Sequence, residues 1–368
     1  MNQRLIIEVL AFEYGKSFGF QEYVLNLLDY LYKHRFDILF EKVIIVCLKN
    51  QKIYFEKYED RIQIKTYSCH TVLGRLLMQT LMPLDLSLKK HDLVLYTANY
   101  SSLLKRCRHI LVIHDLIFKR RNIFPYNLMR YQREAYLPVS IKLADKIIAI
   151  SKFTASDIIH YYPNSDGKIS VVYNYFNFEK YPSIAYGSER RDCFISVCSM
   201  AFHKNTITVL EAFEQYCLRG GTYDLLLVGA LRKGTNLYER LKKMDTLVKS
   251  KVHIYEKITN SLLAELYQTS KVYVSASLFE GLGMPIVEAM YFGLPVILSD
   301  YPVFHEVSME KGLYFNPLNR DELVDKMLVA QSVENVDSNY SEDITNTYSA
   351  ENTSKKYIDI FNSFYIIK

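Results

Sequence analysis

The segment FEGLGMPIVEAMYFGLPVILSD, Phe279–Asp300, gathers the residue types that anion and sugar chemistry need. Gly281 and Gly283 stand two apart in a loop after the apolar run Lys271–Ser275, so backbone N–H groups there can come close to a ligand. Pro285 suits the first turn of a following helix, where its missing N–H costs nothing. Gly293 suits that helix's C′ position, and Leu294-Pro295 opens the next strand. A glycine loop feeding a helix N-terminus is an anion site, most often for phosphate. Glu280 lies in the loop, and Glu288 lies about one turn into the helix. Carboxylates oppose phosphate binding, so accepting hydrogen bonds from sugar hydroxyls is their natural work. As an isolated pair they would serve equally to cap the helix dipole (Glu280) and to face water (Glu288). A second candidate is His114-Asp115, at the carboxyl end of the apolar run Ile110–Ile113. It could be a proton-donor pair, a sugar-binding group or a structural turn with an Asp N-cap.

These residues need a frame, and the chain reads as strands alternating with helices. Leu5–Leu10, Val43–Leu48, Leu93–Thr97, Ile110–Ile113 and Lys146–Ile150 are short apolar runs of strand type. Gly15 and Gly19 read as a loop. Phe20–Lys33 then places Val24, Leu27, Leu28 and Leu31 at helical spacing. The rhythm restarts with strands at Cys193–Cys198 and Asp224–Val228 and the helix Thr206–Cys217 between them. Val252–Tyr255, Lys271–Ser275 and Pro295–Leu298 follow. Tyr173–Asp192 has no clear period and reads as a linker, and Ala350–Phe364 reads as a terminal helix. The expected class is α/β, with two doubly wound parallel sheets and a ligand between the carboxyl ends of facing strands.

Composition agrees with a globular chain of two domains. The 368 residues are 49% apolar and 23% charged, which excludes a disordered chain, a collagen-like fibre and a disulfide-knotted miniprotein. No apolar run reaches the ~18–20 residues that a membrane-spanning helix needs. The opening residues show no signal-peptide pattern, so a cytoplasmic protein is expected. Six cysteines form no C-x-x-C, which favours buried thiols over disulfides or zinc. Residues 1–150 hold 23 Lys and Arg against 14 Asp and Glu, whereas residues 151–368 hold 22 against 26. A basic first half suggests either an anionic partner or simply a solvated surface.

The Phe279–Asp300 segment resembles the E-x7-E motif of the retaining, metal-independent GT-B glycosyltransferases, specifically the large family 4 (glycosyl transferases group 1). The family reads E-G-[FL]-G-[LM]-P-x-x-E-A-M-x-x-G-x-P-V-I here, and this chain matches nearly every place. The resemblance implies that Glu280 contacts hydroxyls of the donor sugar and that Glu288 binds the nucleotide ribose. It implies that the Gly281, Leu282, Gly283 and Met284 backbone holds the diphosphate. CSMAFHKNTITVLEAF resembles the family's phosphate-binding strand, loop and helix. Lys204 would there neutralise the leaving diphosphate, with His203 in place of the usual Arg. VHIYEKITNSLLAELYQTSKVYVSASLFEG matches the lead-in, and its loop at Lys257 and Ile258 would meet the nucleobase through the backbone.

The first half matches more loosely. YGKSFGFQEYVLNLL resembles the acceptor domain's glycine loop and first helix, where Gly19 would approach the donor phosphates or the acceptor. LVIHDLIF resembles the family's H-D strand end, which implies that His114 points into the cleft near the reacting sugar. Asn174-Tyr175 stands where the family has N-G, and Ala350 where an aromatic is common. The implied domains are 1–175 for the acceptor, 190–348 for the nucleotide sugar, and 349–368 as a helix crossing back to the first domain.

The function implied is retaining transfer from a UDP- or GDP-type sugar to a hydroxyl of a glycan or a polyprenyl-diphosphate-linked oligosaccharide. No D-x-D motif is present, and neither a metal nor a further cofactor is expected. The setting implied is cell-surface polysaccharide synthesis, at the inner face of the plasma membrane. Lys105, Arg106, Arg108, Lys119, Arg120 and Arg121 are candidates for contact with anionic lipid. A GT-B nucleotide-sugar epimerase or a phosphorylase is the alternative. A non-catalytic polyanion binder is more remote, because no nucleic-acid-reading motif is present.

Overall fold

Strand-forming residues in this chain come as near-continuous apolar runs, the pattern of parallel strands covered on both faces. The computed structural model describes residues 3–15, 18–69, 71–124, 128–181, 190–197, 201–229, 234–332 and 340–366, and its strands are parallel throughout. Two units divide the chain.

Unit 1 contains residues up to Arg121, residues through Phe176, and Tyr348 onward. Its strands are β1 (Arg4–Glu8), β2 (Lys42–Leu48), β3 (Gln63–Tyr67), β4 (Leu93–Tyr96), β5 (Arg108–Ile113), β6 (Lys146–Ala149) and β7 (Ile169–Val171). They pair in the order β3-β2-β1-β4-β5-β6-β7. The inner strands are sealed: Leu5, Ile6, Ile7, Leu93, Val94 and Leu95 expose nothing. The last helix, Ser354–Ser363, belongs to this unit. The Tyr357 hydroxyl lies 3.0 Å from that of Tyr23 on helix Phe18–Lys33. Arg108 Nη1 donates to the Phe364 carbonyl at 2.6 Å, and Gln3 and Ile366 exchange two hydrogen bonds.

Unit 2 contains Asn177–Thr347 with Asn122–Phe124. Its strands are β8 (Arg191–Val197), β9 (Asp224–Val228), β10 (Val252–Tyr255), β11 (Ser270–Ser275), β12 (Val296–Ser299) and β13 (Leu313–Phe315), in the order β10-β9-β8-β11-β12-β13. Phe194, Leu225, Leu227, Val272, Val274 and Ile297 pack against Val209, Leu210, Phe213 and Tyr216 of helix Thr206–Leu218.

The architecture is the expected α/β class, and several boundaries move. β1 stops at Glu8 rather than Leu10, and the first helix starts at Phe18. Gly19 therefore sits in a helical first turn and not in the loop; the turn glycine is Gly15, with φ +79°. β3 was not expected from the sequence, because QIKTY is a half-buried strand at the sheet's end with no apolar run. β13 was missed because it is three residues long. Residues 16–17, the linker residues 182–189, Cys198 and Ala230 lie outside the described residues. Cys47, Cys107 and Cys193 are buried free thiols, as composition suggested. No helix among the described residues is long and apolar enough to cross a membrane.

Candidate functional site

In a doubly wound sheet, ligands bind beyond the carboxyl ends of the two strands where the winding reverses. In unit 2 those strands are β8 and β11. The loop after β8 carries His203 and Lys204, and the loop after β11 carries Glu280, Gly281 and Gly283. A backbone hydrogen bond joins them, Leu278 N donating to the His203 carbonyl at 2.7 Å. Lys204 ends a single 3₁₀ turn, Phe202–Lys204. Asn205 follows with φ +49° and turns the chain into helix Thr206–Leu218. Lys204 Nζ thereby reaches Glu280 Oε1 at 2.5 Å. Both side chains are mostly covered, at 22% and 15% exposure.

Gly283 is the N-cap of helix Met284–Tyr291, with φ +92° and Pro285 in the first turn. A β-carbon there would also meet Ile286 Cδ1 at 3.1 Å. No side chain caps this helix. Pro285 has no N–H and Ile286 N donates to the Gly283 carbonyl at 2.9 Å, so the Met284 N–H and the helix dipole are what this end can offer an anion. The Leu282 side chain is buried and anchors the loop.

Glu288 lies one turn into the same helix and is half-buried. The Tyr267 hydroxyl donates to Oε2 at 2.9 Å, and the Tyr181 hydroxyl to Oε1 at 3.4 Å. Burial, and then the charge of Glu288, push the Tyr267 hydroxyl well above its ordinary range, so it stays a donor. Neither tyrosine was found from the sequence. Tyr181 falls in the linker reading and Tyr267 on an ordinary amphipathic helix, so no local pattern marks them.

Lys257 follows β10 with φ +51° and is exposed; Ile258 beside it is half-buried. The two come just before helix Asn260–Thr269, which Thr259 caps. Among the described residues, no three of His, Cys, Asp and Glu converge as a metal site.

The remaining candidates lie in unit 1. His114 follows β5, and its Nε2 lies 2.7 Å from the Thr97 carbonyl. A carbonyl only accepts, so Nε2 carries the proton and a neutral ring keeps its lone pair on Nδ1. Burial lowers the affinity of this ring for a second proton. Phe20 and Tyr23 meet it edge-on. Gly19 is exposed, and a side chain there would meet nothing within 4 Å.

Four of the six basic residues considered for lipid contact have partners within the chain. Lys105 bonds the Leu143 carbonyl and Asp145, and Arg108 bonds the Phe364 carbonyl. Arg120 pairs with Asp157 at 2.6 Å, and Lys119 lies over the Tyr161 and Tyr162 rings. Arg106 and Arg121 are exposed. The charge count was right, but a count does not show which cations the fold engages.

Two family models divide the chain between them. "Glycosyltransferase Family 4" matches residues 19–180 and "Glycosyl transferases group 1" matches residues 179–346. The chain belongs to this GT-B glycosyltransferase family. It is 39% identical over 126 residues to the serotype-specific mannosyltransferase WbdA of Escherichia coli, covering 33% of this chain and 15% of that protein. It is 30% identical over 182 residues to the O-antigen chain mannosyltransferase RfbU of Salmonella typhimurium, covering 49% of each. The match thus spans half or less of these relatives' own length. The Anabaena HepE structure in complex with UDP and glucose shares the fold with a TM-score of 0.70 and 14% identity, over 98% of this chain and 100% of that one.

Proposed function

We propose that the protein transfers a sugar, mannose first among the candidates, from a nucleotide diphosphate sugar to a hydroxyl of a growing surface glycan, with retention at the anomeric carbon. The observation that carries this reading is the Lys204–Glu280 pair beside the uncapped helix Met284–Tyr291. A leaving diphosphate needs cation and dipole on one side, and the departing sugar needs a hydrogen-bond acceptor on the other. Here Lys204 and the helix end take the β-phosphate charge, so the step needs no metal. Glu280 accepts from the sugar hydroxyls, and Glu288, steadied by Tyr267 and Tyr181, accepts from the ribose. The backbone at Lys257 and Ile258 faces the base. His114, with its lone pair on Nδ1, accepts from a donor-sugar hydroxyl. The names of the relatives support a glycan acceptor of the O-antigen kind. Arg106 and Arg121 are left for weak attraction to an anionic membrane face, ~1 kcal/mol each.

The test is a panel of GDP- and UDP-linked mannose, glucose and N-acetylglucosamine, read by thermal shift and by NMR of the product. A nucleotide sugar at 100 times its dissociation constant adds about 2.7 kcal/mol of stability. One donor should stabilise the protein, and its product should keep the donor's anomeric configuration. No stabilisation by any donor overturns the transferase reading. An inverted product overturns retention alone.

A further inference from the structure

Strand β4 ends at Tyr96 and β5 at Ile113, and the last residues they pair are Tyr96 and Leu111. His114 stands beyond that ladder, and the side chain of Asn99 takes the ladder's place. Asn99 Oδ1 accepts from His114 N at 2.9 Å, and Asn99 Nδ2 donates to the Asp115 carbonyl at 3.0 Å. A side-chain amide carries an acceptor and a donor in one plane, as a peptide group does. One half-buried residue thus spans the His114-Asp115 turn as a neighbouring strand would. Asn99 is itself placed by a three-residue turn, in which Tyr100 N donates to the Ala98 carbonyl at 2.7 Å. Two residues before it, Thr97 is tied to the end of β1: its N–H and its hydroxyl both donate to the Glu8 carbonyl, at 3.3 and 2.8 Å. The Thr97 carbonyl is the group 2.7 Å from His114 Nε2. Residues 97–99 therefore hold His114 twice, by its ring and by its backbone.

We propose that Asn99 is the positioning residue for His114: by clamping the backbone of the His114-Asp115 turn it keeps Nε2 on the Thr97 carbonyl and presents Nδ1 to a hydroxyl of the donor sugar. A neutral imidazole can carry its proton on either nitrogen, and the hydrogen bond made by one fixes the role of the other. Phe20 and Tyr23 meet this ring edge-on and confine it, but ring edges do not choose between the nitrogens. The choice falls to the Thr97 carbonyl, and that bond lasts only while the His114 backbone stays in place. A residue needed merely to close the turn after β4 would not have to use both ends of its amide on the His-Asp pair. The sugar-binding role of His114 rests on the transferase reading above; the clamp on its ring does not.

The experiment uses the full chain with Asn99→Ala, Asn99→Asp, His114→Ala and the double variant of Asn99→Ala with His114→Ala. Ring tautomers are read by NMR of the protein labelled with ¹⁵N-histidine, the His114 signals being those that vanish in His114→Ala. Steady-state kinetics use the donor that the nucleotide-sugar panel selects. The parent should show His114 protonated on Nε2, and Asn99→Ala should mix the tautomers. Asn99→Ala should lower kcat/KM for the donor ~10- to 100-fold, the scale of a misplaced contact group. Asn99→Asp keeps the acceptor for His114 N and loses the donor to Asp115, so its loss should be smaller. With His114 already Ala, Asn99→Ala should cost less than ~2-fold more, because the two residues act as one unit. Additive losses in the double variant, or an unchanged tautomer in Asn99→Ala, overturn the proposal. A tautomer shift with kcat/KM unchanged overturns the sugar-binding role of His114 and leaves the clamp. If no donor in the panel binds, the transferase reading falls and the tautomer measurement still decides the clamp.

Discussion

Lys204 Nζ and Glu280 Oε1, 2.5 Å apart, tie together the loops that follow the two central strands of unit 2. The cation proposed for the leaving phosphate is thus held by the carboxylate proposed for the sugar. Three N–H bonds on one ammonium allow it to serve both, at the cost of competition. Lys204→Ala should lower turnover ~10- to 100-fold and weaken nucleotide diphosphate binding. Glu280→Gln should also lower turnover, yet leave nucleotide binding equal or tighter, because the competing anion is gone. Calorimetric titration of both variants with UDP and GDP checks this opposition. Equal weakening in both would refute it.

Tyr267 gives Glu288 its shorter hydrogen bond. Tyr267→Phe should weaken donor binding ~3- to 10-fold, the scale of one ordinary net hydrogen bond, and leave the limiting rate nearly intact. Glu288→Gln should cut turnover at least ~10-fold. Steady-state kinetics separate the two, and a large fall in the rate for Tyr267→Phe would contradict the steadying role.

Gly283 holds a left-handed backbone with Ile286 against it. Gly283→Ala should destabilise the protein by ~1–3 kcal/mol and loosen the phosphate seat as well. Gly19→Ala, at an open helical position, should leave melting temperature unchanged or raise it slightly. Paired melting curves test the contrast.

Two buried groups of unit 1 oppose each other in acid. Burial raises Glu8 from 4.5 to about 7, so its contribution is present below pH 4.5 and is lost as pH rises towards 7. Burial lowers His109 from 6.5 to about 4, and neither ring nitrogen has a hydrogen-bond partner. Its contribution is present above pH 6.5 and is lost as pH falls towards 4. Each is worth up to ~1.4 kcal/mol per pH unit within its window. Relative to the parent chain, Glu8→Gln should lose stability as pH falls from 7 to 4.5. His109→Phe should gain stability as pH falls from 6.5 to 4. Denaturant melts at pH 4.5, 5.5, 6.5 and 7.5 measure both slopes, and slopes of the same sign would reject the assignment.

Much of this was legible because the informative residues are close in the chain. The interior strands announce themselves by sealed apolar runs such as Leu5–Ile7 and Leu225–Val228. The proposed phosphate seat lies within one loop and one helix turn. What escaped is long-range. Tyr267 meets Glu288 across 21 positions, and Gln79 meets Glu8 across 71. Glu8 looks in sequence like a mere interruption of an apolar run; only pairing β1 with β4 turns it into the floor of a cavity.

Helix Ser354–Ser363 completes unit 1 although all of Asn177–Thr347 precedes it on the ribosome. Unit 2 is therefore whole before the unit that begins the chain can be finished. A cut just before Ser354 would keep all of Asn177–Thr347 yet take from the Tyr23 hydroxyl its Tyr357 partner. Unit 1 therefore depends on a helix that reaches it only by way of the whole of unit 2.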